Sequence, residues 1–393
     1  MKIENVGVLG LGVMGFEIAF LYAMKGYPTS IYDTSEQAIA LVSTRKRQTI
    51  ERLKKRNRIT DDEVKNIEAN LVPVQNLKAF ARAHLITEAV AENPDVKIQV
   101  YRELREIGFA GILTTNTSSV PRRKLLASGA FPSATFATTH FFNPVLYTQM
   151  VEVVQGDMEN GSFTAATNFL KSLGRTTVET RDISGFVSNS ILMFYAVMAL
   201  RLLEVGARIE QVDQAARAMK TLPPLISFDN WRPSIVEDVT RIMDEVRDDR
   251  FLRSSTLLPI LARDNPKFYV DQKPNEILYR MIDERGRGMD DESIRRSLES
   301  AIGIAAARTV ELGESPAVVD FIAIEGLKLP EGPCAEMDRK GPGAEIDRLA
   351  QVNRIIGGHP LKPPRLLTAM AAANETFFKS GQPNPWLSTR QPR

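Results

Sequence analysis

The chain opens on a short apolar run, Val6 to Leu9 in "NVGVLG", of the kind that suits a strand buried on both faces of a parallel sheet. Apolar residues at helical spacing follow from residue 13 to about 25, and "TSIYD" then predicts a second strand ending at Asp33. From residue 35 to about 67 the pattern turns polar and basic. It predicts one long basic helix, a turn near residues 57–60, and a second helix capped by Thr60 with Glu63 three residues on. Strand-like runs resume at 84–93, 111–120, "TFATTHFFNP" and "MVEVVQG", with helical stretches such as 94–107 between them. This alternation predicts a mainly parallel sheet covered on both faces by helices. After Val178 the strand signals stop and helical spacing takes over.

The helical half contains a repeat. Glu204 is matched by Glu311, Gly206 by Gly313, Asp213 by Asp320 and Pro223 by Pro330, each pair 107 positions apart. At 393 residues the chain is also too long for one ordinary core. The expected organisation is therefore a Rossmann-type α/β domain with a helical-hairpin insertion over 1–182, an all-α domain over 183–290, and a second, degenerate all-α copy over 291–393. The residue 107 positions after Asn189 is Arg296, and no second strand-and-helix domain precedes the copy, so the repeat reads as structural.

Composition narrows the partners. Fifty basic residues against 48 acidic leave a net charge of +2, which offers no general field for nucleic acid or a membrane surface. The basic clusters "RKRQ" and "RLKKRNR" read as a solvated helix face. One cysteine, Cys334, excludes an internal disulfide and a cysteine-built zinc cage; no metal is expected. The first residues run straight into a strand, and the most apolar later run is broken by Arg201 and Glu204. A cytoplasmic location is the expectation.

Gly10, Gly12 and Gly15 carry the G-x-G-x-x-G spacing between strand and helix. The first allows the tight turn, the second lets a pyrophosphate approach the backbone, and the third lets helix and strand pack closely. Asp33, at the end of the second strand, suits ribose hydroxyls and would repel a 2′-phosphate, so NAD is expected over NADP. Further on, "THFFNPV" puts His140 at a strand end, and Glu152 falls on the next predicted strand within reach of the imidazole. Such a histidine can take an alcohol proton near neutral pH, and a carboxylate fixes its tautomer. Asn116 and Ser118 in "TTNTSS" supply neutral hydrogen-bonding groups nearby. His84 and His359 read as structural.

The ordered series "GLGVMG", "TEAVAEN", "TTNTSS", "THFFNPV", "MVEVVQG" and "DISGFVSNSIL" resembles the 3-hydroxyacyl-CoA dehydrogenase family as far as about Pro223. The tandem helical copies resemble the dehydrogenase part of multifunctional fatty-acid oxidation proteins. The resemblance implies His140 as general base, Glu152 as its partner, and Ser118 and Asn189 against the substrate oxygens. It also implies NAD contacts at Asp33, Glu92, Lys97, Asn116 and Asn143, and acyl-CoA contacts at Thr49 and Arg56 in the helical hairpin. The implied reaction is NAD-dependent oxidation of an L-3-hydroxyacyl thioester, or its reverse, on coenzyme A or a carrier protein. Single-copy members pair two chains through a helical face; a second copy within one chain makes a monomer plausible.

Two alternatives stay open at this point. A 3-hydroxyisobutyrate-type dehydrogenase shares the glycine loop but would place a lysine where this chain has "SGFVSNSIL". A non-catalytic NAD-binding structural protein would have no use for the His140–Glu152 pair. "LPPLISFDNW" also replaces the family's usual turn over the acyl chain, which leaves Phe228 and Trp231 as either pocket lining or core.

Overall fold

The computed structural model describes residues 2–281 and 288–389. The chain divides into two compact units, Met1–Asp182 and Ile183–Arg393.

The first unit is built on an eight-stranded sheet: β1 Val6–Leu9, β2 Thr29–Tyr32, β3 Leu71–Pro73, β4 Leu85–Glu88, β5 Ile112–Thr115, β6 Phe136–Phe141, β7 Met150–Val154 and β8 Thr176–Glu179. Their order across the sheet is β3-β2-β1-β4-β5-β6-β7-β8. The strands pair in parallel except β6 with β7, so the last two run against the rest. The strand order switches sides between β1 and β4, which remain parallel, and ligands of such sheets bind in the crevice at that point. All residues of β4, β5, β6 and β7 are buried, which is why those segments lack a clean apolar–polar alternation.

Five helices position the site: α1 Val13–Met24, α2 Glu36–Ala40, α3 Val42–Lys55, α4 Asp61–Asn70 and α5 Pro94–Glu106. Residues Gly15 to Met24 of α1 are all buried, so this helix lies inside the core and carries no amphipathic stripe. The basic segment is not one long helix: it breaks at Leu41, a half-exposed residue between α2 and α3. Ser35 caps the short α2 by accepting the Ala38 N–H, so that turn starts on its own signal before α3 begins. Thr60 and Glu63 form the expected capping box of α4.

The second unit is helical. Its α6 Ser188–Glu204 and α7 Ile209–Ala218 are joined through Gly206, at φ 110°, and the long helix Asp291–Glu311 ends in the same way at Gly313, at φ 107°. Asp291–Glu311 packs along α6, and Ser190 to Leu203 of α6 are almost entirely buried. Phe228 is core: its ring lies 5.8 Å from Trp231 and 5.7 Å from Phe268. No helix of the described residues is long and apolar enough to cross a membrane.

Candidate active site

The glycine turn is shaped by close approach. At Gly10, φ is +88° and a Cβ would stand 2.5 Å from the Ala89 carbonyl oxygen; at Gly15 a Cβ would overlap the Gly10 carbonyl. These two glycines let β1, β4 and α1 meet. Gly12 is different, because nothing lies within 4 Å of where its Cβ would be. The N-terminus of α1 has no side-chain cap and no acidic residue in its first turn. An uncapped helix end beside an unobstructed glycine fits a dinucleotide's pyrophosphate.

Asp33 already holds the loop. One carboxylate oxygen accepts the Leu11 N–H at 2.6 Å and the other accepts the Ser35 N–H at 2.8 Å. Its remaining lone pairs are what a ribose could use.

Beyond β4 and β5 stands a buried polar network. Lys97 of α5, 1% exposed, lies 2.8 Å from Glu88 and 3.3 Å from Glu92. The second oxygen of Glu88 accepts from Tyr101 and Thr115, both at 2.7 Å. One oxygen of Glu92 accepts four bonds: from the Thr117 hydroxyl at 2.6 Å, the Ser118 N–H at 2.7 Å, and the Ser119 N–H and hydroxyl at 2.8 Å each. Burial opposes the Glu92 charge, yet Lys97 and these donors hold its carboxyl below the ordinary value. Burial likewise opposes the Lys97 charge, and the two glutamates raise it above the ordinary lysine value. Glu92, Lys97 and the Ser118 loop are thus brought together, with Lys97 turned inward.

Asn116 accepts the Phe141 N–H at 2.9 Å, tying the end of β5 to β6 beside the histidine. In the antiparallel β6–β7 ladder His140 stands directly opposite Glu152. The His140 Nδ1 lies 2.8 Å from a Glu152 oxygen; the carboxylate is fully buried, and the imidazole keeps 9% of its side-chain exposure. An ionised partner accepts from Nδ1–H, which leaves Nε2 as the basic nitrogen.

The remaining sequence candidates fall on other elements. Asn143 is exposed in the turn after β6. Thr49 on α3 is 7% exposed, whereas Arg56 at the end of that helix reaches the Tyr147 hydroxyl at 3.3 Å. Arg52 and Arg58 also flank the Tyr147 ring, 5.9 and 4.9 Å from its centroid. Asn189 lies in the first turn of α6, in the second unit. His84 accepts the Glu4 N–H at 3.1 Å, and His359 is exposed in its turn.

Sequence reasoning missed Glu88, Thr117 and Ser119, which complete the Glu92 network. One signal was available: Lys97, Tyr101 and Leu104 fall on one face of α5 and are its buried residues, so a lysine occupies a core stripe and needs a buried partner.

A glycine turn at the sheet's switch point, an open helix N-terminus and an acid closing β2 define a dinucleotide-binding α/β protein. The particular family follows from comparison with known sequences: the NAD-binding domain of 3-hydroxyacyl-CoA dehydrogenase matches residues 5–183, and the C-terminal domain of the same family matches 185–266. The chain belongs to the 3-hydroxyacyl-CoA dehydrogenase family, and its cofactor is NAD.

A fatty acid oxidation complex subunit alpha from Shewanella amazonensis is 26% identical over 96% of this chain. The chain covers 56% of that relative and so spans about half the length of the curated relatives it matches. Among solved structures, a 3-hydroxybutyryl-CoA dehydrogenase from Escherichia coli shares the fold at a TM-score of 0.76, with 20% identity, 95% of this chain and 99% of that one covered. The dehydrogenase part of a multifunctional enzyme from C. elegans aligns over 100% of this chain and 90% of its own, at a TM-score of 0.51 and 17% identity.

Proposed function

We propose that the chain interconverts an L-3-hydroxyacyl thioester and its 3-oxoacyl partner, with His140 as the acid–base group. The observation that carries this reading is the 2.8 Å contact between His140 Nδ1 and Glu152 across a paired strand register. Bound NAD would supply the hydride acceptor for C3. His140 removes the C3 hydroxyl proton through Nε2, and Glu152 stabilises the imidazolium as it forms. Ser118, on the loop that Glu92 gathers, orients the reacting oxygen. Asn189 serves the substrate oxygens, the role the family resemblance assigns to it. Positioning and fixed charge supply most of the acceleration.

Arg56 and its neighbours around Tyr147 make a cationic surface for the phosphates of coenzyme A. Thr49, the other acyl-CoA contact that the resemblance implies, lies on the same helix with 7% exposure. The packing of Asp291–Glu311 along α6 supports a monomer, because that apolar face is covered within one chain. Sedimentation tests the monomer: a tight dimer through these helices would exclude it. Family matches on both regions weigh against the 3-hydroxyisobutyrate-type alternative.

The deciding experiment is NADH oxidation with acetoacetyl-CoA by the native chain and by His140→Gln. Turnover should fall about a thousandfold, within the range for a lost acid–base group, with NADH affinity retained. Collapse of NADH binding with turnover largely intact would refute the assignment. Absence of any hydride transfer by the native chain would favour a non-catalytic NAD-binding protein.

A further inference from the structure

The basic α3 reads from sequence as a solvated face, yet Arg45 leaves that face for the glycine loop. Its guanidinium donates to the Leu11 carbonyl at 2.6 Å and to the Gly12 carbonyl at 3.0 Å. It lies 4.0 Å from the centroid of the Phe16 ring in the first turn of α1, and this contact fixes the plane of the fork. The Leu11 N–H is held from another direction by Asp33 at 2.6 Å. The loop is therefore gripped on one N–H and on two consecutive carbonyls.

We propose that Arg45 is a positioning residue for the cofactor's pyrophosphate. In a planar trans peptide the N–H points opposite to the C=O. Turning the Leu11 carbonyl toward Arg45 turns the Gly12 N–H the other way. The Gly12 carbonyl also accepts the Phe16 N–H at 3.2 Å, so Arg45 and the first turn of α1 together aim the Val13 N–H. Gly12 and Val13 are both exposed, and no side chain stands over Gly12. Two preoriented donors at the positive end of α1 form an anion cradle, and the guanidinium behind them adds positive potential. Lysine could not do the same work, since a single ammonium lacks the planar fork that spans two adjacent carbonyls.

The inference rests on the dinucleotide site and not on the chemistry at His140, so binding alone tests it. NADH affinity is measured by its fluorescence for the native chain, Arg45→Met and Arg45→Lys, and ADP, adenosine and NADPH are titrated as competitors. Arg45→Met should weaken NADH and ADP together by about tenfold, the scale of lost charged hydrogen bonds, and leave adenosine within about threefold. Arg45→Lys should fall between native and Met, and it carries the test if Arg45→Met fails to fold. Unchanged NADH affinity would overturn the proposal. So would an equal loss for adenosine, which marks a mere prop of the loop, or a loss confined to NADPH, which marks a 2′-phosphate contact. A native chain that binds no NADH would overturn the cofactor site itself, and that failure is distinct from a failure of Arg45 alone.

Discussion

In the helical unit Asp213 accepts the backbone N–H groups of Leu225 and Ile226, and Asp320 accepts those of Cys334 and Ala335. Asp229 holds Phe268 and Tyr269 in the same way, and Asp338 holds Phe377 and Phe378. Glu204 takes the Leu257 N–H and Glu311 the Leu366 N–H. Every one of these carboxylates pins a segment of its own repeat. In the sheet unit Glu92 also takes two consecutive backbone N–H groups, of Ser118 and Ser119, but with two hydroxyls and a buried lysine beside them, and Glu152 meets an imidazole. The difference teaches how to read a buried acid. One that is satisfied by paired backbone N–H groups is a structural clasp, and its repetition marks a duplicated scaffold. Besides burial, Asp213 and Asp320 help to raise the Tyr269 phenol and the Cys334 thiol beside them, so what sets Glu152 and Glu92 apart from these two is the basic side chain that each one faces.

Substitutions sharpen this contrast. The largest expected effect belongs to the sheet unit: Glu152→Gln keeps an acceptor for Nδ1–H but removes the charge. Turnover should drop about a hundredfold or more, while the unfolding temperature moves by only a few degrees. In the helical unit, Asp213→Ala and Asp320→Ala should each cost about 2 kcal/mol in urea unfolding, because each strands one buried and one part-buried N–H group. Neither should alter NADH affinity. If Asp320→Ala left stability intact and lowered turnover, the division between clasps and chemistry would fail. A smaller contrast lies between the repeats themselves. Asn189→Ala should lower kcat/KM by about tenfold or more, the scale of one lost substrate hydrogen bond, while Arg296→Ala at the matching position should stay within about threefold.

Much of this arrangement is legible in the sequence. The glycine spacing, the acid after β2 and the helical repeat follow from local pattern, because turns and helices are set by near neighbours. His140 facing Glu152 is legible in part, since two adjacent strands with one residue each at matching depth suggest a cross-strand pair. What stays hidden depends on long-range burial. Lys97 is legible as a candidate contact, but its buried pairing with Glu88 and Glu92 shows only once α5 is docked on the sheet. Arg45 looks like solvated charge until α3 is docked on the glycine loop. The break at Leu41 is hidden because helical propensity continues through it. The repeat offset also changes, from 107 between Asp213 and Asp320 to 109 between Asp229 and Asp338, as Glu331 and Gly332 have no counterpart in "LPPL". A Cβ at Gly332 would run into the Asp320 carboxylate, so the insertion needs its glycine.

The smallest effects concern pH, and they separate the two kinds of acid by sign. The Glu92 carboxyl is held below its ordinary value of 4.5 in the folded chain, with burial opposed by Lys97 and the loop donors. Its stabilisation is complete above that ordinary value and is lost as pH falls through the folded one. Asp213 and Asp320 are raised above 3.8 because burial outweighs the N–H bonds they accept. The folded chain therefore takes up these two protons first, and acidification from above their folded values toward 3.8 favours folding. Urea unfolding followed across this range should show the acid-side loss of stability reduced in Glu92→Gln and steepened in Asp320→Asn. Changes of the same sign in both variants would mean that the two units hold their acids alike.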